Sequence, residues 1–180
     1  MAFYSLIFRS LRAAQVPFLV VGGHAVVLSG HLRNTFDLDL LIGDSVREVA
    51  RQMLIELGFR IYFESEVFLQ LAAPHHLPPL DLMVVEDNTF ARLLEHTVEK
   101  ILDDETILIP DPLRLIALKL HATRSLGRQR RNTDWDDIAG VLRATRIPID
   151  DPELQVIVES YGEAEAWSEI RGRFQDSSGP

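Results

Sequence analysis

Apolar residues recur at helical spacing near the start of the chain. Leu6, Ile7, Leu11 and Ala14 form one stripe, which predicts a first helix over Phe3 to Gln15. "PFLVV", Pro17 to Val21, is a short apolar run broken by Gly22 and Gly23, as expected of a buried strand. "HAVVLSG" then fits a short helix. In "FDLDLLI" apolar and acidic residues alternate. A strand there puts Asp37 and Asp39 on one face and Phe36, Leu38 and Leu40 on the other. Ser45 and Glu48 have the spacing of a capping box for a helix that runs to about Leu57 and ends at Gly58. "FRIYFES" and "VFLQLAA" are β-rich and nearly contiguous, so they predict a hairpin. "PPLDLMVV", Pro78 to Val85, predicts a further strand, a short helix follows from Asn88 to about His96, and "TILIP" predicts a last strand.

From Asp111 onward the pattern is helical. Asp111 is an N-cap with Pro112 in the first helical position, and Leu113, Ile116, Ala117 and Leu120 share a face. A second helix is expected over Thr133 to Ala144, and two more in "DPELQVIVESYG" and "EAEAWSEIRGRF"; the tail "QDSSGP" reads as frayed. There is no internal repeat and no low-complexity linker. The expected class is therefore α+β: a small mixed β-sheet core with flanking helices over residues 1–110, then an all-helical region over 111–180, the junction falling near Pro110.

Composition narrows the function classes. The 180 residues are 47% hydrophobic and 25% charged, which fits a globular chain able to bury its own core. No cysteine is present, so disulfides, thiolate metal sites and a cysteine nucleophile are excluded. No run reaches the length of a membrane span and the start lacks the signature of a signal peptide, so a soluble cytoplasmic protein without membrane association is expected. The formal net charge of −9 argues against a broad nucleic-acid platform, although positive charge gathers once, in "RSLGRQRR", Arg124 to Arg131.

Two carboxylates on one strand face are costly to bury without compensation. They either face water at a sheet edge or hold a divalent cation. Asp81, in the equally apolar "LDLMVV", supplies a third. Three such groups can converge on magnesium, which takes hard oxygen ligands and keeps waters and substrate phosphates in its shell, and a two-metal site serves phosphoryl transfer.

At these residues the chain resembles a known superfamily. "GGHAVVLSGHLRNTFDLDLLI" is similar to the motif of the polymerase-beta-like nucleotidyltransferases: Gly-Gly or Gly-Ser, a helix, an acid-x-acid strand, then a third acid on a later strand. Its form looks most like the branch that holds AbiEii-type toxins of bacterial toxin–antitoxin systems and related uncharacterised proteins. "LKLHATRSLGRQRRNTDWDDI" resembles that branch's downstream motif. The resemblance spans Phe18 to Leu142 and implies a nucleotidyltransferase core. It implies transfer of a nucleoside monophosphate from a triphosphate to an acceptor hydroxyl or amine, with pyrophosphate leaving.

The resemblance carries roles to single positions. Gly22 and Gly23 match the glycines that seat a phosphate at a helix start; where the family often has Ser, this chain has Gly23, without the hydroxyl. Asp37 and Asp39 match the metal ligands, and Asp81 the acid that shares the metal and helps deprotonate the acceptor. Magnesium or manganese is the implied cofactor and a nucleoside triphosphate the implied substrate. Lys119 matches a lysine able to reach the triphosphate, and Arg124 the arginine after it. Asp134 and Asp137 match the two downstream acids, while Thr133 stands where that branch usually has lysine.

For several of these residues a plainer reading stands beside the functional one. The glycines can mark a simple tight turn, Lys119 can snorkel to water, and Asp134 and Asp137 can favour a helix start. Arg33 can neutralise phosphate, pair with Asp37 or sit in an exposed loop, and Thr35 can orient a carboxylate. His24 either lines the nucleotide site or starts the short helix; His75 and His76 read as a solvated turn, with no third ligand at zinc spacing.

Three function classes follow: an active nucleotidyltransferase, a binding or regulatory module of the same fold without turnover, and a metal-dependent phosphohydrolase. The last would need a tighter His/Asp constellation. The acceptor classes in view are a tRNA end, a protein side chain or a small hydroxylated or aminated molecule, with an antitoxin as a possible protein partner.

Overall fold

The computed structural model describes residues 4–75, 77–124 and 131–176. The chain divides into two compact units: Met1–Ala25 with Asn34–Pro110, and Val26–Arg33 with Asp111–Pro180.

The first unit is built on a five-stranded mixed sheet in the order β1-β2-β5-β4-β3. Its strands are β1 (Leu19–Val20), β2 (Leu38–Gly43), β3 (Arg60–Glu64), β4 (Phe68–Ala72) and β5 (Leu80–Val85). Only β2 and β5 run parallel; the other neighbours are antiparallel. The expected β3–β4 hairpin forms, with a bulge between Ile61 and Phe63. Along β5 burial alternates: Leu80, Leu82 and Val84 are in the core, while Asp81, Met83 and Val85 are partly exposed. β4 does the same, with Leu69 and Leu71 inside and Phe68, Gln70 and Ala72 half-buried. One sheet face is thus apolar and closed, and the other carries the polar row that matters below.

Two elements depart from the sequence expectation. Strand β2 begins at Leu38, two residues later than the alternation from Phe36 suggests, so Asp37 precedes the ladder and Phe36 stands 77% exposed instead of joining the Leu38 face. Ser45 caps nothing. It lies in a 3-10 turn, Asp44–Val46, and both its N–H and Oγ donate to Asp87 Oδ1, at 3.1 and 2.9 Å. Helix α3 (Arg47–Glu56) follows without a side-chain cap. At its other end Gly58, at φ +91°, closes the helix as expected: its N–H donates to Ile55 O and the Phe59 N–H to Leu54 O.

"TILIP" lies in β7 (Glu105–Pro110), which pairs with a strand the periodicity had not indicated, β6 (Thr97–Leu102), as a separate hairpin after helix α4 (Asp87–Leu94). The turn is Asp103–Asp104, both at positive φ. Helix α1 (Ser5–Ala13) is tied to this hairpin. Arg9 Nε and Arg12 Nη1 each lie 2.5 Å from a Glu105 carboxylate oxygen, Ser5 Oγ donates to Glu105 at 3.1 Å, and the Tyr4 N–H donates to Asp103. These bonds hold the Glu105 carboxyl below the usual glutamate range, the Arg9 and Arg12 contacts most of all.

The second unit is helical: α5 (Pro112–Thr123), α6 (Arg131–Thr145), α7 (Pro152–Tyr161) and α8 (Ala166–Asp176). Asp111 caps α5 by accepting from Arg114 N at 2.8 Å, with Pro112 at the first position. Asp151 does the same for α7 through Glu153 N and Leu154 N. Leu115, Ile116, Leu120, Trp135, Ile138 and Leu142 are among the residues that fill its core. Helix α2 (Gly22–Leu28) begins in the first unit, and its last turn belongs to the second.

Candidate active site

The site is built where β2 and β5 run side by side. Asp39 and Asp81 are direct partners in that parallel ladder, and Gln70 on β4 is the partner of Asp81. Three strands therefore present Asp39, Asp81 and Gln70 in one row on the half-exposed face, about 5 Å apart from strand to strand. The Gln70 amide donates to both Asp81 oxygens, at 3.4 and 3.5 Å. That contact explains why this face carries glutamine between Phe68 and Ala72: it fixes the carboxylate plane.

Gly22 and Gly23 close on Asp39. Gly22 has φ +58°, and a Cβ built there would fall 1.9 Å from Asp39 Oδ2. Glycine is thus required twice, by conformation and by space. The Gly23 N–H donates to the same Asp39 oxygen at 3.3 Å. The helix start that the sequence reads as a phosphate seat is occupied by the chain's own carboxylate.

One tyrosine reports on the field of this row. The Tyr62 phenol is pushed up by burial first, then by Asp81 and Asp37. Tyr62 is 65% exposed and lies at the β3 bulge, a feature that re-aims side chains next to sites. The Tyr4 phenol is also raised, by burial, then Asp103, then Asp37. Its ring meets the buried His24 edge-on at 4.9 Å. Sequence reasoning missed both tyrosines and Gln70; the aromatic interruption of "RIYFE" was the available signal for Tyr62.

Among the described residues, no three His, Asp or Glu side chains are grouped to hold a metal ion. Asp37 directly precedes the ladder that aligns Asp39 with Asp81. The pair alone suits magnesium chemically. It offers hard carboxylate oxygens from neighbouring strands, and magnesium leaves the rest of its shell to water and substrate phosphate.

The other predicted residues have contacts and surroundings of their own. Arg33 pairs with Asp137: its Nε lies 2.7 Å from Asp137 Oδ1 and its Nη2 3.1 Å from Oδ2. Lys119 does not snorkel to water. It is buried, with Nζ 2.9 Å from Asp134 Oδ1 and 2.7 Å from Asp137 Oδ2. Asp134 and Asp137 are themselves fully buried, unlike helix-start acids exposed to solvent. All four belong to the second unit. Thr35 is half-buried just before β2, Arg124 is the exposed C-cap of α5, and His75 is exposed in its turn. His76 and most of "RSLGRQRR" lie outside the described residues.

No family model matches the sequence, and no curated protein does. Solved structures do match. The chain aligns over 86% of its length with 92% of the structure of ANT(2'')-Ia in complex with adenylyl-2''-tobramycin, at TM-score 0.63 and 13% identity. It aligns over 78% of its length with 94% of the lincomycin-bound lincosamide antibiotic adenylyltransferase LnuA, at 0.57 and 17%. A third match is an antigenic nucleotidyltransferase-like protein from Paracoccidioides brasiliensis, at 0.54 and 17%, over 94% of this chain and 90% of that one. The fold is that of a nucleotidyltransferase: a mixed sheet with helical flanks. No described helix is long and apolar enough to cross a membrane.

Proposed function

We propose that this chain is a metal-dependent nucleotidyltransferase that moves a nucleoside monophosphate from a triphosphate to an acceptor hydroxyl or amine. The observation that carries the reading is the Asp39–Asp81 ladder pair, with the Gly22–Gly23 turn closed on Asp39. Asp39 and Asp81 would hold the magnesium ion, with Asp37 beside them on the approach to β2. When bound, the ion offsets phosphate charge and lowers the pKa of an acceptor hydroxyl.

The chain's own groups do the rest. The acceptor oxygen or nitrogen attacks the α-phosphorus, the bond to the β-phosphate bridging oxygen breaks, and pyrophosphate leaves with that oxygen. An Asp81 carboxylate oxygen takes the acceptor's proton, and the Gln70 amide keeps that carboxylate turned toward it. Gly22 keeps the space into which Asp39 projects. The net charge of −9 and the small-molecule ligands named for the two antibiotic-modifying neighbours favour a small hydroxylated or aminated acceptor over a tRNA end.

The test is pyrophosphate release with magnesium, each labelled triphosphate and panels of aminated and hydroxylated acceptors, beside an Asp37→Asn, Asp39→Asn double variant. Metal-dependent release that the variant loses is the expected result. Equal background in both would sink the enzymatic reading. Triphosphate binding without turnover, seen by calorimetry, would instead select the regulatory module.

A further inference from the structure

The charged cluster in the second unit is arranged as a fastening. Segment Gly30–Arg33 lies along α6 in three steps. A Cβ on Gly30 would come within 3.1 Å of Ala144 Cβ, a Cβ on Gly140 would fall 2.2 Å from the His31 ring, and Arg33 grips Asp137 through two nitrogens. Asp137, Gly140 and Ala144 are spaced three and four apart, so they form one face of the helix. Gly140 is small because His31 fills the place its side chain would take.

The charges balance within the cluster. Asp137, 0% exposed, takes Arg33 on one side and Lys119 on the other, and Lys119 also reaches Asp134. Two cations meet two carboxylates. A buried lysine so placed has its donors directed at carboxylates, and withdrawing it toward a phosphate would take its charge away from two buried carboxylates. Arg33 is the last residue of this unit before the chain passes at Asn34 into the first, four positions ahead of Asp37. Between α2 and β2 the chain has no ladder or helix of its own to fix residues 31–36, and Leu32 projects 82% exposed.

We infer that Asp137 is a positioning residue: through Arg33, with Lys119 and Asp134 balancing the charge, it fixes the segment that leads into Asp37. On this assignment Arg33 and Lys119 serve the fastening and not the triphosphate. The link to turnover rests on the nucleotidyltransferase reading; the fastening itself does not.

The experiment compares Arg33→Met, the milder Arg33→Lys, Asp137→Asn and the Arg33→Met, Asp137→Asn double variant. It reads hydrogen exchange over residues 30–36, triphosphate affinity by calorimetry, and turnover. In the expected result exchange rises in Arg33→Met and Asp137→Asn, less in Arg33→Lys, and the double variant is no worse than the worse single one, because the pair acts as a unit. Turnover falls while triphosphate affinity stays within about twofold of the parent, the pattern of a group that does not touch the nucleotide. Affinity lost on the order of tenfold or more in Arg33→Met, with Asp137→Asn unaffected, would make Arg33 a phosphate ligand and overturn the assignment. Unchanged exchange in Asp137→Asn would also overturn it. If the parent protein itself shows no turnover, the function reading fails, while exchange and the double variant still decide the fastening.

Discussion

Asp39 with Asp81, and Asp134 with Asp137, are two places where this chain sets carboxylates side by side. In the first unit they meet across a parallel ladder on a half-exposed face, and the contacts that orient them include a backbone N–H and a glutamine amide. In the second they share one helix, fully buried, with arginine and lysine nitrogens at 2.7 to 3.1 Å. The difference separates two uses of one residue type. Burial forces a carboxylate to bring its own cations, and the charge is then consumed in holding the structure. A half-exposed pair aligned by register keeps its oxygens reachable for an exchangeable ion.

The contrast is broken most directly by matched amide substitutions. Asp137→Asn takes a buried negative charge from between Arg33 and the buried Lys119, a change that costs about 3–5 kcal/mol where one partner of a buried pair is lost. Asp39→Asn instead relieves like-charge repulsion on an accessible face. It leaves the urea midpoint nearly unchanged and lowers turnover by on the order of a hundred- to a thousand-fold. Urea unfolding and pyrophosphate release on both variants give the answer. A large stability loss in Asp39→Asn, or none in Asp137→Asn, would erase the distinction.

Gly22→Ala tests how closely the first pair is fitted. The new methyl meets Asp39 Oδ2 at 1.9 Å and the backbone sits at φ +58°, so strain of about 1–2 kcal/mol from the left-handed conformation adds to the displacement of Asp39. Turnover should fall more than stability does. An Asp39→Ala background, which removes the obstructing carboxylate, should recover part of the lost thermal stability but none of the activity.

How far each pair can be read in the sequence follows from the same physics. The acid-x-acid alternation and the lone Asp81 are period-two signals, and a strand's period is local, so the sheet face could be inferred before its partners were known. Their row with Gln70 depended on strand order, which no local pattern states. The strand start was misplaced because "FDLDLLI" begins alternating at Phe36, two residues before Leu38 joins the ladder. The β6 strand escaped notice because its turn is Asp103–Asp104, two acids at positive φ where Asn-Gly would have advertised a hairpin. The Arg33–Asp137 pair joins residues 104 apart in sequence, so spacing could place the two Asp residues on one helix face and nothing more. Even the plainer readings of Lys119 and the two acids assumed exposure, which only packing decides.

Glu105 sharpens the comparison from within the first unit. It is a carboxylate matched by cations, Arg9 and Arg12, beside a sheet whose site carboxylates are held otherwise. Its folded pKa lies below the unfolded value of 4.5. Its stabilising contribution is therefore complete above that value and is lost as pH falls through the lowered folded pKa. Glu105→Gln should lower the urea midpoint at neutral pH and flatten its decline below about pH 4.5, with turnover at neutral pH retained. An unchanged acid limb would mean that the α1 tether does not depend on this charge.

The smallest effect is spectroscopic and concerns Tyr62. Its phenol is raised by burial first and then by Asp81 and Asp37, so a substitution that removes only charge should undo only part of the shift. Phenol absorbance titrated in Asp81→Asn should show one tyrosine ionising at lower pH than in the parent, and Tyr62→Phe assigns that step by removing it. Glu105→Gln provides the counterpart, because its carboxylate is not among the causes of the shift. It should leave the Tyr62 step in place even as it loosens the α1 tether. A Tyr62 step that moved in both variants would show that unfolding, and not the field of the site carboxylates, sets the phenol's ionisation. The half-exposed row would then lose its electrostatic signature.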